Sequence, residues 1–190
     1  MRQNPARRTA LLDAAIEVLA AEGSRGLTLR AVDVKAEVPT GTTTNYFAHR
    51  ADLLAQVMGR IQERLTPDEA GLAVTMRQEP SRELVTVLLR QTLERMRADR
   101  SSHLALLELR LEATRRPELH AELTRFFSAQ LDSNIAFHQG AGLPGDRIGL
   151  VLLYLAMLGM VVDDLTVPDL LAPFSVDVLI ETLVARVLPD

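Results

Sequence analysis

The sequence predicts an all-α protein of about nine helices, divided into a small three-helix head over residues 1–48 and a larger helical body over residues 49–190. Three observations carry this expectation. Apolar residues recur at three- and four-residue spacing through almost the whole chain, no stretch alternates apolar and polar residues as a half-exposed strand would, and glycine or proline falls where the periodic segments stop. With 190 residues, 47% of them hydrophobic, the chain is large enough to bury a real core.

The elements follow in order. Leu12, Ala15, Ile16 and Leu19 share one helical face, and Gly23 ends that helix. Thr28 caps a short helix from Leu29 to Ala36, on which Leu29, Val32 and Ala36 face one way. A second short helix, Thr40 to Phe47, follows after Glu37-Val38-Pro39. His49 or Arg50 opens a longer helix bearing Leu53, Leu54, Val57, Met58 and Ile61 on one side, broken at Thr66-Pro67. Residues 67–80 are ambiguous between a short helix and a connector. Helices are then expected at about 81–98, 101–115 and 117–139, the last opened by Pro117 and closed by Gly140. Asp146 to Leu165 and Val176 to Leu188 complete the set.

Composition removes several classes of function. There are no cysteines, which excludes disulfides, zinc-thiolate sites and cysteine nucleophiles, and suits a reducing cytoplasm. The basic N-terminus leads into an amphipathic helix and not a signal segment. The longest apolar run, Ile148 to Val162, spans 15 residues between charged pairs, short of the roughly 20 that a membrane helix needs, so no membrane partner is expected. His49, His103, His120 and His138 are scattered without metal-ligand spacing, no phosphate-cradling glycine loop is present, and neither a metal, a cofactor nor a catalytic site is expected. Net charge is −4, yet residues 1–60 carry eight basic groups (Arg2, Arg7, Arg8, Arg25, Arg30, Lys35, Arg50, Arg60) against six acidic ones (Asp13, Glu17, Glu22, Asp33, Glu37, Asp52), a local balance of +2. A mildly basic head on an acidic body fits a module that faces DNA.

The two short helices are joined too tightly for anything but a helix-turn-helix. On the second, Thr43 and Phe47 lie four apart and face inward, leaving Thr40, Gly41, Thr44 and Asn45 outward. That face is small and polar, as a major groove requires. Threonine offers a hydroxyl and a methyl, asparagine can bond adenine at two points, and glycine lets the backbone come close. Its poor intrinsic helicity is tolerable where tertiary packing holds it.

The stretch "GLTLRAVDVKAEVPTGTTTNYFAHRADLL" resembles the DNA-binding signature of the tetracycline-repressor (TetR) family: Thr-x-Arg at the start, an alanine-x-valine turn, glycine two residues into the recognition helix, Tyr-Phe at its end, and a basic residue before Asp-x-Leu. The resemblance covers about residues 6–60. It implies that Thr28 and Arg30 meet phosphates, that Thr40, Gly41, Thr42, Thr44, Asn45 and Tyr46 line the groove, and that Arg50 clamps the DNA backbone. Glu37 departs from the glycine usual in that turn, which requires either a different turn or a non-glycine residue at positive φ. Thr40 and Thr44 stand where lysine and tyrosine are common.

The body is expected to dimerise. Ile148 to Val162 is apolar on every side, so one face can pack on its own core and another on a partner, unless a monomer buries it centrally. The last helix adds Val176, Leu179, Ile180, Leu183 and Val187. A four-helix bundle built from two such helices per subunit, which the resemblance implies, would bring Leu152, Leu155, Gly159, Met160, Leu179 and Leu183 to the interface. Polar groups on apolar stripes, His103 and Arg110 beside Leu107, and Asn134 and His138 on the following helix, are candidates for a ligand pocket or else satisfied core groups. Glu108 and Glu112 look solvated or salt-bridged, with Arg116 in reach of Glu112. The expectation is a cytoplasmic, homodimeric regulator, a repressor that binds a palindromic double-stranded DNA operator and is released by a small apolar or amphipathic effector. The alternative is a helical protein-protein adaptor, which would lack the steep salt dependence of a DNA binder.

Overall fold

The computed structural model describes residues 4–188, so Arg2 of the charge tally lies outside the described residues. The described chain is all-α: α1 (Pro5–Gly26), α2 (Leu29–Lys35), α3 (Thr42–Tyr46), α4 (Arg50–Leu65), α5 (Glu69–Thr75), α6 (Arg82–Ala98), α7 (Arg100–Ala113), α8 (Pro117–Gly140), α9 (Arg147–Thr166) and α10 (Val176–Val187), with a 3-10 turn at Pro168–Leu170. The ambiguous stretch after Pro67 contains α5, whose N-cap Asp68 accepts the Gly71 N–H at 2.7 Å.

The breakers act as the sequence indicates, with one refinement. Gly23 sits at φ 70°, ψ −176°, which interrupts the regular helix there as expected, and Ser24, Arg25 and Gly26 add one off-axis turn before Leu27. Thr28 then caps α2 by accepting the Ala31 N–H at 3.0 Å.

The chain divides into two compact units, the first holding the described residues up to Thr66 together with Asp99–Thr124, the second Pro67–Ala98 and the described residues from Arg125 onward. In the first, α1 packs on α2, α4 and α7, and α4 also touches α7. Its core is dry: Leu11, Ile16, Leu19, Val32, Phe47, Leu53, Val57, Ile61 and Leu109 are all below 2% exposed. Each such side chain stabilises the fold by about 1.5–3 kcal/mol relative to an exposed one. Beside this core an ionic cluster ties three helices. Arg60 of α4 forks onto Asp13 of α1 at 2.9 and 3.1 Å, and Arg64 one turn later reaches Asp13 at 3.3 Å and both carboxylate oxygens of Asp99, the N-cap of α7, at 2.9 and 2.6 Å. The Asp99 carboxyl is pushed up by burial, but Arg64 and the Ser102 hydroxyl and N–H outweigh this and hold it below the ordinary aspartate value.

In the second unit α6, α9 and α10 pack on one another around Leu84, Val85, Ile135, Leu143, Leu150, Leu153, Val184 and Leu188. Capped by Asp146, which accepts the Gly149 N–H at 2.7 Å, α9 runs 20 residues and continues past the Asp163-Asp164 pair. This matches the helix expected from Asp146 to Leu165, and although its uninterrupted apolar run is 15 residues, the whole helix is by length and composition alone able to cross a bilayer. Only 33% of its apolar window is buried within the chain. The exposed remainder lies on one side: Ile148, Leu152 and Leu155 are 66%, 49% and 54% exposed, while Leu153, Met157 and Val161 face the core.

Candidate nucleic-acid interface

The α2–turn–α3 segment is built around one buried carboxylate. Asp33 is 2% exposed and receives the Thr43 hydroxyl at 2.6 Å, the Thr43 N–H at 2.7 Å and the Gly41 N–H at 2.7 Å. Burial raises its pKa, but these three donors more than compensate and hold the carboxyl below its ordinary value of 3.8. A charge on α2 thus fixes the N-terminal end of α3. This also explains why α3 starts at Thr42 and not at the expected Thr40, since Gly41 is left-handed, at φ 89°, with its N–H turned to Asp33.

The turn resolves the question posed by Glu37. It adopts φ 54°, so of the two alternatives a non-glycine residue takes the left-handed conformation there. Its N–H bonds Val34 O at 3.1 Å and the next N–H, of Val38, bonds Asp33 O at 3.0 Å.

Thr43 and Phe47 are both fully buried, as their spacing implies. The Arg8 guanidinium lies 5.0 Å from the Phe47 ring centroid and donates to Gln56 Oε1 at 2.8 and 2.6 Å, closing the end of α3 against α1 and α4. Thr40, Thr44 and Asn45 are exposed, Gly41, Thr42 and Tyr46 half-buried. Thr42 turns its hydroxyl onto Pro39 O at 2.6 Å. Among the basic groups, Arg7, Arg25, Arg30 and Lys35 are exposed, whereas Arg8, Arg50 and Arg60 are bonded within the protein.

Arg50, expected to clamp the DNA backbone, is bonded within the protein. Its Nε donates to Leu27 O at 3.1 Å and its Nη2 to Ser24 O at 2.6 Å and Ser24 Oγ at 2.7 Å, so the guanidinium is turned inward and closes the kinked end of α1. Burial and the nearby Arg116 charge draw its pKa down, with Glu112 opposing. The Ser24 N–H, freed from the helix ladder by the Gly23 kink, donates to Glu108 of α7 at 2.8 Å. Glu108 is thus a capping group, and Glu112 pairs with Arg116. Arg50→Ala is expected to destabilise the first unit by about 1.5–3 kcal/mol, the worth of charge-assisted bonds, in urea unfolding.

The candidate effector residues fall into both units. On α7, His103 is 7% exposed, Leu107 and Arg110 half-buried. His103 Nδ1 lies 3.1 Å from the Asp99 carbonyl oxygen, while its Nε2 is buried without a partner. Burial pushes the imidazole pKa down, against the Asp99 carbonyl and charge. On α8, Asn134 is exposed, and His138, 8% exposed, has its Nε2 2.8 Å from Pro144 O. That bond makes His138 a satisfied core group bracing the turn into α9. Among the described residues no group of three or more His, Asp or Glu could hold a metal.

A profile of the tetracyclin repressor-like C-terminal domain matches residues 80–190. The chain belongs to the TetR family. Solved TetR-type structures resemble it over nearly their whole length. A family member from Streptomyces coelicolor A3 is 27% identical, with TM-score 0.72, covering 98% of this chain and 100% of that one. The multidrug binding protein EbrR complexed with imidazole is 25% identical, TM-score 0.68, covering 98% and 97%; its ethidium complex is 26% identical, TM-score 0.63, covering 97% and 99%. Salmonella enterica GusR, at 20% identity and TM-score 0.70 over 98% of both chains, shares the fold. No curated protein sequence matches the chain. As a TetR-family member it is a transcriptional regulator with a helix-turn-helix DNA-binding head and a helical ligand-responsive body.

Sequence reasoning missed Asp33, Ser24 and Glu108. Asp33 entered only as a negative charge, although it directly follows the buried Val32 on a seven-residue helix.

Proposed function

We propose that this TetR-family chain is a cytoplasmic repressor that binds a palindromic operator as a homodimer and leaves it when a small apolar or amphipathic molecule binds the body; it catalyses no reaction. The observation that carries the DNA contact is the Asp33-braced turn, which holds α3 rigidly while Thr40, Thr44 and Asn45 stay exposed. Thr28 and Arg30, at the start of α2, meet phosphates, and Gly41, Thr42 and Tyr46 flank the groove. Arg30 is exposed for its backbone contact, and Arg50, at the start of α4, is proposed to supply another.

The dimer rests on the uncovered side of α9. Leu152, Leu155 and Gly159 are exposed on one side of α9 and form a face that a second copy would cover, joined by half-buried Met160 and by half-buried Leu179 and Leu183 of α10, the last of which also packs on its own core. A two-fold dimer then matches a two-fold operator. For the effector, the EbrR complexes with imidazole and ethidium support a small organic molecule, and His103, Leu107 and Arg110 on α7 are the groups proposed to meet it.

The test is to map the DNA protected upstream of the chain's own gene and titrate that site at two salt concentrations. Asn45→Ala is expected to weaken binding by about 1–3 kcal/mol and relax preference at one base position per half-site. Arg30→Ala should weaken all sequences about equally and reduce the salt slope by about one. Identical profiles for the two variants on a randomised operator pool would overturn the base-versus-phosphate assignment. Salt-independent retention of a protein partner, with no protected DNA, would favour an adaptor.

A further inference from the structure

We infer that the effector of this regulator carries a hydrogen-bond donor, an N–H or O–H on an otherwise apolar body, and that His103 receives it through a bare Nε2. The inference rests on the effector-responsive reading above and specifies its chemistry. His103 is more than nine-tenths buried, and its two ring nitrogens are in opposite situations. Nδ1 faces the Asp99 carbonyl oxygen at 3.1 Å. A carbonyl can only accept, so Nδ1 carries the hydrogen. In the neutral ring Nε2 is then a lone pair, and it has no donor. Burial favours the neutral ring, which keeps that lone pair available. A buried acceptor left bare is a standing cost that a ligand bearing a donor removes and a ligand without one does not, so the site discriminates by the missing hydrogen bond and not by shape.

The surroundings of His103 suit this role. Leu107 continues the same side of α7 one turn on, which offers apolar contact to the body of the ligand. The charged groups on the near side, Asp99 and Arg64, are paired with each other. Asp99 is therefore held twice, its carbonyl by His103 and its carboxylate by Arg64 of α4, the helix whose first residue closes the end of α1 next to the DNA-reading head. A ligand that repositions the imidazole moves the N-cap of α7 and, through Arg64, the last turn of α4.

Two probe pairs that differ only in the donor test this: indole against N-methylindole, and naphthol against methoxynaphthalene, titrated into the full-length protein. The donor member is expected to bind at least about tenfold more tightly, equivalent to about 1.4 kcal/mol. His103→Phe should reduce that preference below about twofold. Because His103→Phe could fail to fold, ring nitrogen NMR of the native protein gives a second measurement. It should show the Nδ1–H tautomer with Nε2 unprotonated, and an Nε2 resonance that moves only with the donor probes. An Nε2–H or imidazolium form, equal affinities within both pairs, no binding by either pair at millimolar concentration, or a preference that survives in a folded His103→Phe variant would overturn the inference. Operator binding by the native chain is scored separately: its loss sinks the regulator reading, and its persistence alongside a failed probe test removes only the assignment of ligand chemistry.

Discussion

Asp33→Ala is expected to abolish operator binding at protein concentrations where the native chain saturates, while the second unit keeps its fold. The substitution strips the acceptor from the buried N–H and hydroxyl of Thr43 and from the N–H of half-buried Gly41. Each unsatisfied buried donor costs about 1–3 kcal/mol, so the loss should be roughly 3 kcal/mol or more, enough to unfix α3 within a domain of ordinary marginal stability. Asp33→Asn should fall between the two, since its amide oxygen can still accept but its NH2 would face donors. The same carboxylate predicts a pH dependence. Its folded pKa is depressed, so its stabilisation is complete above the ordinary value of 3.8 and is lost as pH falls through the lower folded value. Amide exchange on residues 29–47 and a gel shift read both effects. Native affinity in Asp33→Ala would show that α3 is held by something else.

Leu155→Glu is expected to give a folded monomer that no longer binds the palindromic site. Leu155 is 54% exposed in the single chain, so a carboxylate there meets solvent and leaves the fold of the second unit intact. In a two-fold dimer the same change appears twice, removing two buried leucines at about 1.5–3 kcal/mol each and placing two like charges near one another. The dimer constant should weaken at least about a hundredfold, about 2.7 kcal/mol. Leu153→Ala is the contrast. It is 4% exposed on the inward side of the same helix, and it should cost about 2–5 kcal/mol of unfolding stability without a specific effect on association. Sedimentation equilibrium at micromolar concentration separates the two. A native chain that sediments as a monomer would remove the basis of the prediction.

The fold was legible wherever structure follows from local spacing. Thr43 and Phe47 lie four residues apart and are both buried, Thr28 caps α2, and Thr66 ends α4. What periodicity could not show are contacts between residues that are close only in three dimensions. Asp33 meets Gly41 and Thr43 eight and ten residues on, so nothing in helical spacing marks the pair. Arg50 has the right charge for phosphate, and only the folded position of Ser24 and Leu27 shows that its guanidinium is already bonded. His138 and His103 look alike in sequence, each a histidine beside apolar neighbours. Pro144 O meets the Nε2 of one, and nothing meets the Nε2 of the other.

The kink at Gly23 has a bearing on how freely this head could be transplanted. The N–H that the kink releases is capped by Glu108, which lies 84 residues downstream, and the ionic cluster at the far end of α4 closes on Asp99. The first 48 residues therefore carry the side chains proposed to face the groove but not the parts that finish their scaffold. A chimaera spliced at residue 48 would deprive α1 of Arg50, Glu108 and the apolar cover of Leu109. Grafting onto a new sensor would succeed only if the recipient supplied an equivalent of α4 and α7, so the natural unit of exchange is discontinuous in the chain.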